Sequence, residues 1–322
     1  MTGLMHTLLR AAWILVLPLS SHAAAAEPAR VSVGISGWTG FAPLTLAQAE
    51  GIFKRHGVEV DIRKIPQKDR HLALASDAIQ CTATSVETWI IWNAAGIASK
   101  QVFKMDQGMG SDGILARPGI ESVADLRGRT IAVSAPGTNP HFSLAWILKK
   151  NGLTLRDVKL ATLEPGPAAN ALMTGSANLD AAVTYEPYLS AVLGKPGVGK
   201  LIADSSRYPM VIDSFGCTAE FIKLHPRTVR ALTDSYFDAL DLIAKDPARA
   251  YKIMGADVKQ TAAQFEMSQS KLRWADRAAN VKFFGGELQE FDREAAALLK
   301  EIGVIRAVPD LDALYDTTFV KQ

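Results

Sequence analysis

Two α/β lobes are predicted for this chain of 322 residues, on three observations. Short β-branched runs alternate with helix-length amphipathic segments, the signature of a mainly parallel sheet wrapped by helices. That alternation runs through once and then restarts. The chain is also longer than one hydrophobic core comfortably organises. In the first pass, 31–35 (VSVGI) reads as a strand and 44–56 as a helix stopped by Gly57. Strand 58–65, helix 70–77, strand 79–84, helix 87–95 and strand 101–105 follow. The second pass has strand 130–134, helix 140–150 closed by Asn151-Gly152, strand 158–163, helix 168–174, and strands 181–184 and 200–203. The tail is helical, because Val229, Leu232, Tyr236, Leu240 and Ile243 recur at spacings of three and four. No solenoid repeat or low-complexity segment is present.

The N-terminus has the three parts of a secretory signal. His6 and Arg10 precede the apolar run 11–19, then come the small residues 20–26 and the polar Glu27-Pro28. A spanning helix needs about 20 apolar residues, and Pro18 interrupts this run well short of that. Residues 1–26 are therefore expected to be a signal peptide cleaved near Ala26, with Ala23 the alternative, and the mature protein to be periplasmic. Loss of Arg10 takes the formal charge from +2 to +1, which leaves no electrostatic footprint for nucleic acid. Two cysteines, Cys81 and Cys217, are too few for a disulfide scaffold and lack metal-site spacing. In an oxidising compartment they are able to form one bridge. No metal and no cofactor are expected.

In open α/β sheets, ligands sit outside the carboxyl ends of the strands. The candidate site is therefore the set of loops 36–44, 82–88, 106–113, 134–141 and 184–187. Pro43 and Pro140 suit first helical turns, and Asn139 is a good N-cap. Exposed N–H groups at such ends bind anionic or polar groups. One helix end contributes roughly 0.3–1 kcal/mol, whereas micromolar binding needs about 8 kcal/mol. Direct hydrogen bonds and aromatic contact must supply most of the affinity.

Trp38 is assigned to the ligand, against the competing reading of a loop aromatic packed on its own lobe. Thr84 and Ser85 donate to ligand oxygens or cap the helix that begins near Glu87. Thr39, Ser111 and Thr138 come from the same loops. His141, with no serine or cysteine nucleophile in a known arrangement, is read as a polar contact at a helix start and not as a catalytic base. Tyr185 and Glu186 stand at a strand end before Pro187. Asp213 is either a ligand contact or a hinge acceptor. Trp89, Trp92 and Trp146 fall within predicted helices and are assigned to the core.

Several stretches resemble the binding proteins of the nitrate/sulfonate/taurine importers, the SsuA/THI5-like family. They are GWTGFAPLTLAQAEGIFKRHG (37–57), GSDGI (110–114), DLRGRTIAV (125–133), GTNPHFSLAWILKKNGL (137–153) and AAVTYEPYL (181–189). The resemblance implies a type II periplasmic-binding fold, two Rossmann-like lobes joined by two crossing hinge strands. Lobe 1 would hold 31–113 plus 214–322, and lobe 2 would hold 114–213. It also places the strand of Cys217 beside that of Cys81, so the two sulfurs are neighbours in this topology; whether they form a disulfide stays open.

The implied function is that of a monomeric solute-binding component that delivers a small polar solute to an ABC importer permease. The rival is an enzyme of the same fold, like the thiamine-pyrimidine synthases or menaquinone-pathway dehydratases; an export signal and the lack of a cysteine-rich segment argue against it. A sensory binding domain would need a transmembrane helix. The predicted loops carry Glu87, Asp106, Asp112, Glu164, Glu186 and Asp213 against the single base Arg207. Buried like charges are disfavoured, so a solute with an amine, amidine or amide donor is expected: an aliphatic aminosulfonate such as taurine, an aminopyrimidine or a urea-like compound. Asp112 and Glu186 are expected to accept hydrogen bonds from its nitrogen end.

Overall fold

The computed structural model describes residues 29–176 and 178–321, so the expected signal segment lies outside the described residues. Its strands are β1 (Ala29–Ile35), β2 (Val58–Lys64), β3 (Cys81–Ser85), β4 (Ser99–Gly108), β5 (Asp112–Ala116), β6 (Thr130–Val133), β7 (Lys159–Thr162), β8 (Ala181–Tyr185), β9 (Lys200–Asp204), β10 (Ile212–Thr218) and β11 (Leu272–Trp274). They form two sheets, ordered β11-β4-β10-β3-β1-β2 and β7-β6-β8-β5-β9. The chain passes between them twice, from β4 into β5 and from β9 into β10.

The sheets are mixed, not mainly parallel. β1 pairs in parallel with β2 and β3, and β6 with β7 and β8. The strands next to the two crossings run the other way: β10 is antiparallel to β3 and β4, and β5 to β8 and β9. Strand–helix alternation reports only the crossover-linked parallel pairs. A strand arriving from the other sheet carries no such mark. β11, a three-residue edge strand on β4, is too short for any pattern to announce.

Most helices stand close to their expected places. The expected helix 44–56 is broken in two, Ala42–Ala49 and Ile52–Arg55, because Gly51 takes the left-handed conformation at φ +66°. Pro43 and Pro140 do occupy first turns. The N-cap of helix Asn139–Lys150 is Thr138, however, and Asn139 is its first residue. In helix Pro226–Lys245 the apolar stripe Val229, Leu232, Tyr236 and Ile243 is buried. Trp89, Trp92 and Trp146 are buried as well. Cys81 and Cys217 lie opposite each other in the β3–β10 register and are joined by a disulfide.

Candidate functional site

Topology brings the chemistry to one edge. β1 and β3 are parallel, so Ser36 and Ser85 leave the same end of the first sheet. β10 runs antiparallel to β3 and places Asp213 opposite Ser85; β4 in turn places Asp106 opposite Asp213. In the second sheet β5 begins where β8 ends, and Asp112 faces Tyr185. These two edges meet around a cavity of about 30 Å³ lined by Ser36, Trp38, Phe41, Gln67, Arg70, Thr84, Ser85, Asp112, Asn139, Tyr185, Val211 and Asp213. A water needs about 10–15 Å³ on this scale, so a larger solute enters only if the sheets move apart. Roomier grooves of about 620 and 680 Å³ lie elsewhere, but buried polar groups converge on the small cavity.

Seven of the thirteen expected residues line it: Trp38, Thr84, Ser85, Asp112, Asn139, Tyr185 and Asp213. The Trp38 and Tyr185 rings meet edge to face at 5.5 Å, and Trp38 Nε1 donates to Asp106 Oδ1 at 3.4 Å. Gly40 makes this approach feasible, since a Cβ there would stand 2.2 Å from Asp106 Oδ2 and 2.3 Å from Trp38 Nε1.

The other six are buried beside the cavity without lining it. Glu87 accepts from Ser85 Oγ at 2.6 Å and Asn139 Nδ2 at 3.2 Å. Ser111 Oγ donates to Asp112 at 2.7 Å, and Thr138 Oγ1 donates to its own turn at Ala135 O. Thr39 Oγ1 and His141 Nδ1 have no partner among the described residues. Glu186 is engaged elsewhere: it accepts from Lys271 Nζ at 2.6 Å and Ser190 Oγ at 2.7 Å.

The expectation of Arg207 as the single base needs correction. Arg207 lies in the outer 620 Å³ groove, over the Tyr208 ring. The base in the cavity is Arg70, 1% exposed, whose Nε and Nη1 donate to Ile65 O and Ala83 O. It forms no ion pair among the described residues. Arg70 belongs to helix Gln67–Ala75, which follows β2. The loop at the carboxyl end of β2 was absent from the expected set, and applying the same topological rule to it would have found both Arg70 and Gln67. Gln67 ties the two edges together: its Oε1 accepts from Asn139 N at 3.1 Å, and its Nε2 donates to Thr88 Oγ1 at 2.8 Å. Ser36 and Phe41 fall in the expected loop 36–44 without having been singled out there, and Val211 was unforeseen and carries no distinguishing signal.

Burial governs the electrostatics. Removal from water lowers Arg70 to about 10 and raises Glu87 and Asp106 to about 7. Asp112 and Asp213 stand well above the usual carboxylate range for the same reason, with neighbouring carboxyls adding to it. Burial pushes the His141 ring toward its neutral form. The cavity therefore presents one guanidinium opposite carboxyl groups that resist ionisation unless a cation arrives. It suits a small solute with an anionic and a cationic or donor end.

This architecture is the fold of the periplasmic binding proteins. It superposes on the alkanesulfonate-binding protein SsuA of Xanthomonas axonopodis pv. citri bound to MOPS with a TM-score of 0.74, at 20% identity, covering 91% of this chain and 100% of that one. It superposes likewise on the periplasmic nitrate-binding protein NrtA of Synechocystis PCC 6803 (TM-score 0.73, 14% identity, 90% and 86% covered). A desulfurization enzyme, DSZB, shares the fold too (0.68, 14%, 91% and 97%). In sequence, a protein of Brucella abortus (strain 2308) named as a binding protein is 26% identical over 257 residues, 78% of this chain and 79% of the relative. The NMT1/THI5-like family profile matches residues 38–250, and the chain belongs to that family.

Proposed function

We propose that the chain is the periplasmic solute-binding component of an ABC importer, a monomer that encloses a small polar solute between lobes 31–113 plus 214–322 and 114–213. The observation that carries this reading is the small polar cavity where the two sheets meet, with Arg70 and Asp213 in one wall and Asp112 in the other. A buried guanidinium without a counter-charge is costly, and an anionic head group on the solute would supply that charge. The nitrogen end would face Asp112 and Asp213. Glu186, tied to Lys271, is reassigned from ligand acceptor to a contact that holds the two halves together.

The enzyme reading finds less support. Both cysteines of the chain are in the bridge, which leaves no thiol nucleophile, and His141 lies outside the cavity lining. Calorimetric titration with an aminosulfonate, an aminopyrimidine, a urea-like compound, a nitrogen-free alkanesulfonate and nitrate tests the proposal. Tight binding confined to the compounds with an amine, amidine or amide donor is expected. Preference for nitrate or the nitrogen-free sulfonate would contradict it, as would turnover of any bound compound.

A further inference from the structure

We propose that Asp213, in the cavity wall, and Asp106, opposite it on β4, share one proton in the ligand-free protein and release it when a cationic nitrogen of the solute docks against Asp213. The inference rests on the proposed solute-binding role only for the docking step; the shared proton stands on the geometry.

The two residues face each other across the β4–β10 register. Asp106 is fully buried and Asp213 is 5% exposed. Asp106 Oδ1 accepts from Trp38 Nε1, but Asp106 Oδ2 has no donor if both carboxyls are ionised. A proton on Asp213 provides that donor, since the two residues face each other as neighbours on adjacent strands. Two carboxylates that are neighbours and out of water do not both keep their charge readily.

The surroundings relieve the pair only in part, Lys104 acting on Asp106 and Arg70 on Asp213. Asp112 on β5 and Glu87 on helix Val86–Ala94 add negative charge. Of the nearby cations, Lys104 on β4 is directed to Gln107 Oε1 and the Phe283 ring, and Arg70 to two carbonyls. The Tyr236 hydroxyl, which both aspartates act on, donates to Met105 O. Burial, the leading cause, lifts Asp106 to about 7 and holds Asp213 well above the usual carboxylate range. When an ammonium group docks, its N–H bonds point to the Asp213 carboxylate, the ammonium keeps its own protons, and the carboxyl proton passes to solvent.

The shared proton also sets a sign for stability. The unfolded chain loses the corresponding proton near pH 4, while the folded pair keeps it. Stability from this pair is complete below the unfolded pKa and is lost as pH rises through the folded one.

Infrared spectroscopy of the ligand-free parent is the first measurement. A protonated-carboxyl C=O band is expected near pH 6, fading as pH rises, with one component that Asp213→Asn and Asp106→Asn each remove while those of the other buried carboxyls, such as Glu87 and Asp112, persist. A parent spectrum without such a band would overturn the shared proton, whether or not the variants fold. In the second, taurine and ethanesulfonate are titrated in two buffers of different protonation enthalpy. Taurine binding with release of about one proton near pH 6, and loss of that release in Asp213→Asn, is expected. Taurine binding without proton release overturns the proposal. If neither sulfonate binds, the docking step fails with the proposed ligand class, and the infrared result still decides the shared proton.

Discussion

A guanidinium removed from water and held by two backbone carbonyls has used two of its five donors, and it forms no ion pair among the described residues. Arg70 therefore defines where an anionic head group would sit. Lysine keeps the charge but not the planar fork, so Arg70→Lys should weaken binding of an aminosulfonate roughly 30-fold or more, about 2 kcal/mol, by calorimetry. Unchanged affinity would remove Arg70 from the site. Much of the candidate site was legible at this scale, because Trp38, Ser85, Asp112 and Tyr185 follow from one rule about strand ends, and Asp213 from its place at the expected hinge. Arg70 was missed because its helix follows β2, whose loop carries no glycine or proline cluster. The engagement of Glu186 with Lys271 was illegible for a different reason. The partners are 85 residues apart, and nothing local announces which distant lysine a carboxylate will meet.

Among the elements, β10 matters most to the site, since it brings Asp213 to Asp106 and to Ser85. The Cys81–Cys217 disulfide fastens it to β3 across 136 residues of chain that include all of the second sheet. Closing so long a loop restricts the unfolded chain, and the double change Cys81→Ala, Cys217→Ala should lower stability by about 3–5 kcal/mol, read from denaturant midpoints. Two free thiols in unreduced, denatured protein would show that the bridge does not form. The neighbouring Gly216 fits the same strand, since a Cβ there would stand 2.1 Å from Lys100 O. Strand–helix alternation located most elements to within a few residues, since each buries an apolar face at its own period. It could not give the direction of β5 and β10, which depends on the two passages between sheets. The break at Gly51 was equally hidden, because apolar residues continue on both sides of it.

At the scale of the molecule, a small set of contacts spans the two halves around the cavity. Gln67 and Glu87 hold Asn139, Lys271 holds Glu186, and the Trp38 ring meets Tyr185. Each depends on the halves being drawn together, and the cavity they enclose is too small to admit a solute from outside. Capture on the proposed reading therefore requires an opening and a closing about the two passages between sheets, the closed form being favoured by contacts the open form lacks. Small-angle scattering of the protein, with and without saturating amounts of whichever nitrogen-bearing compound binds in calorimetry, tests this most directly. A smaller radius of gyration in the bound protein is the predicted result. An unchanged radius, with tight binding established in the same sample, would contradict it.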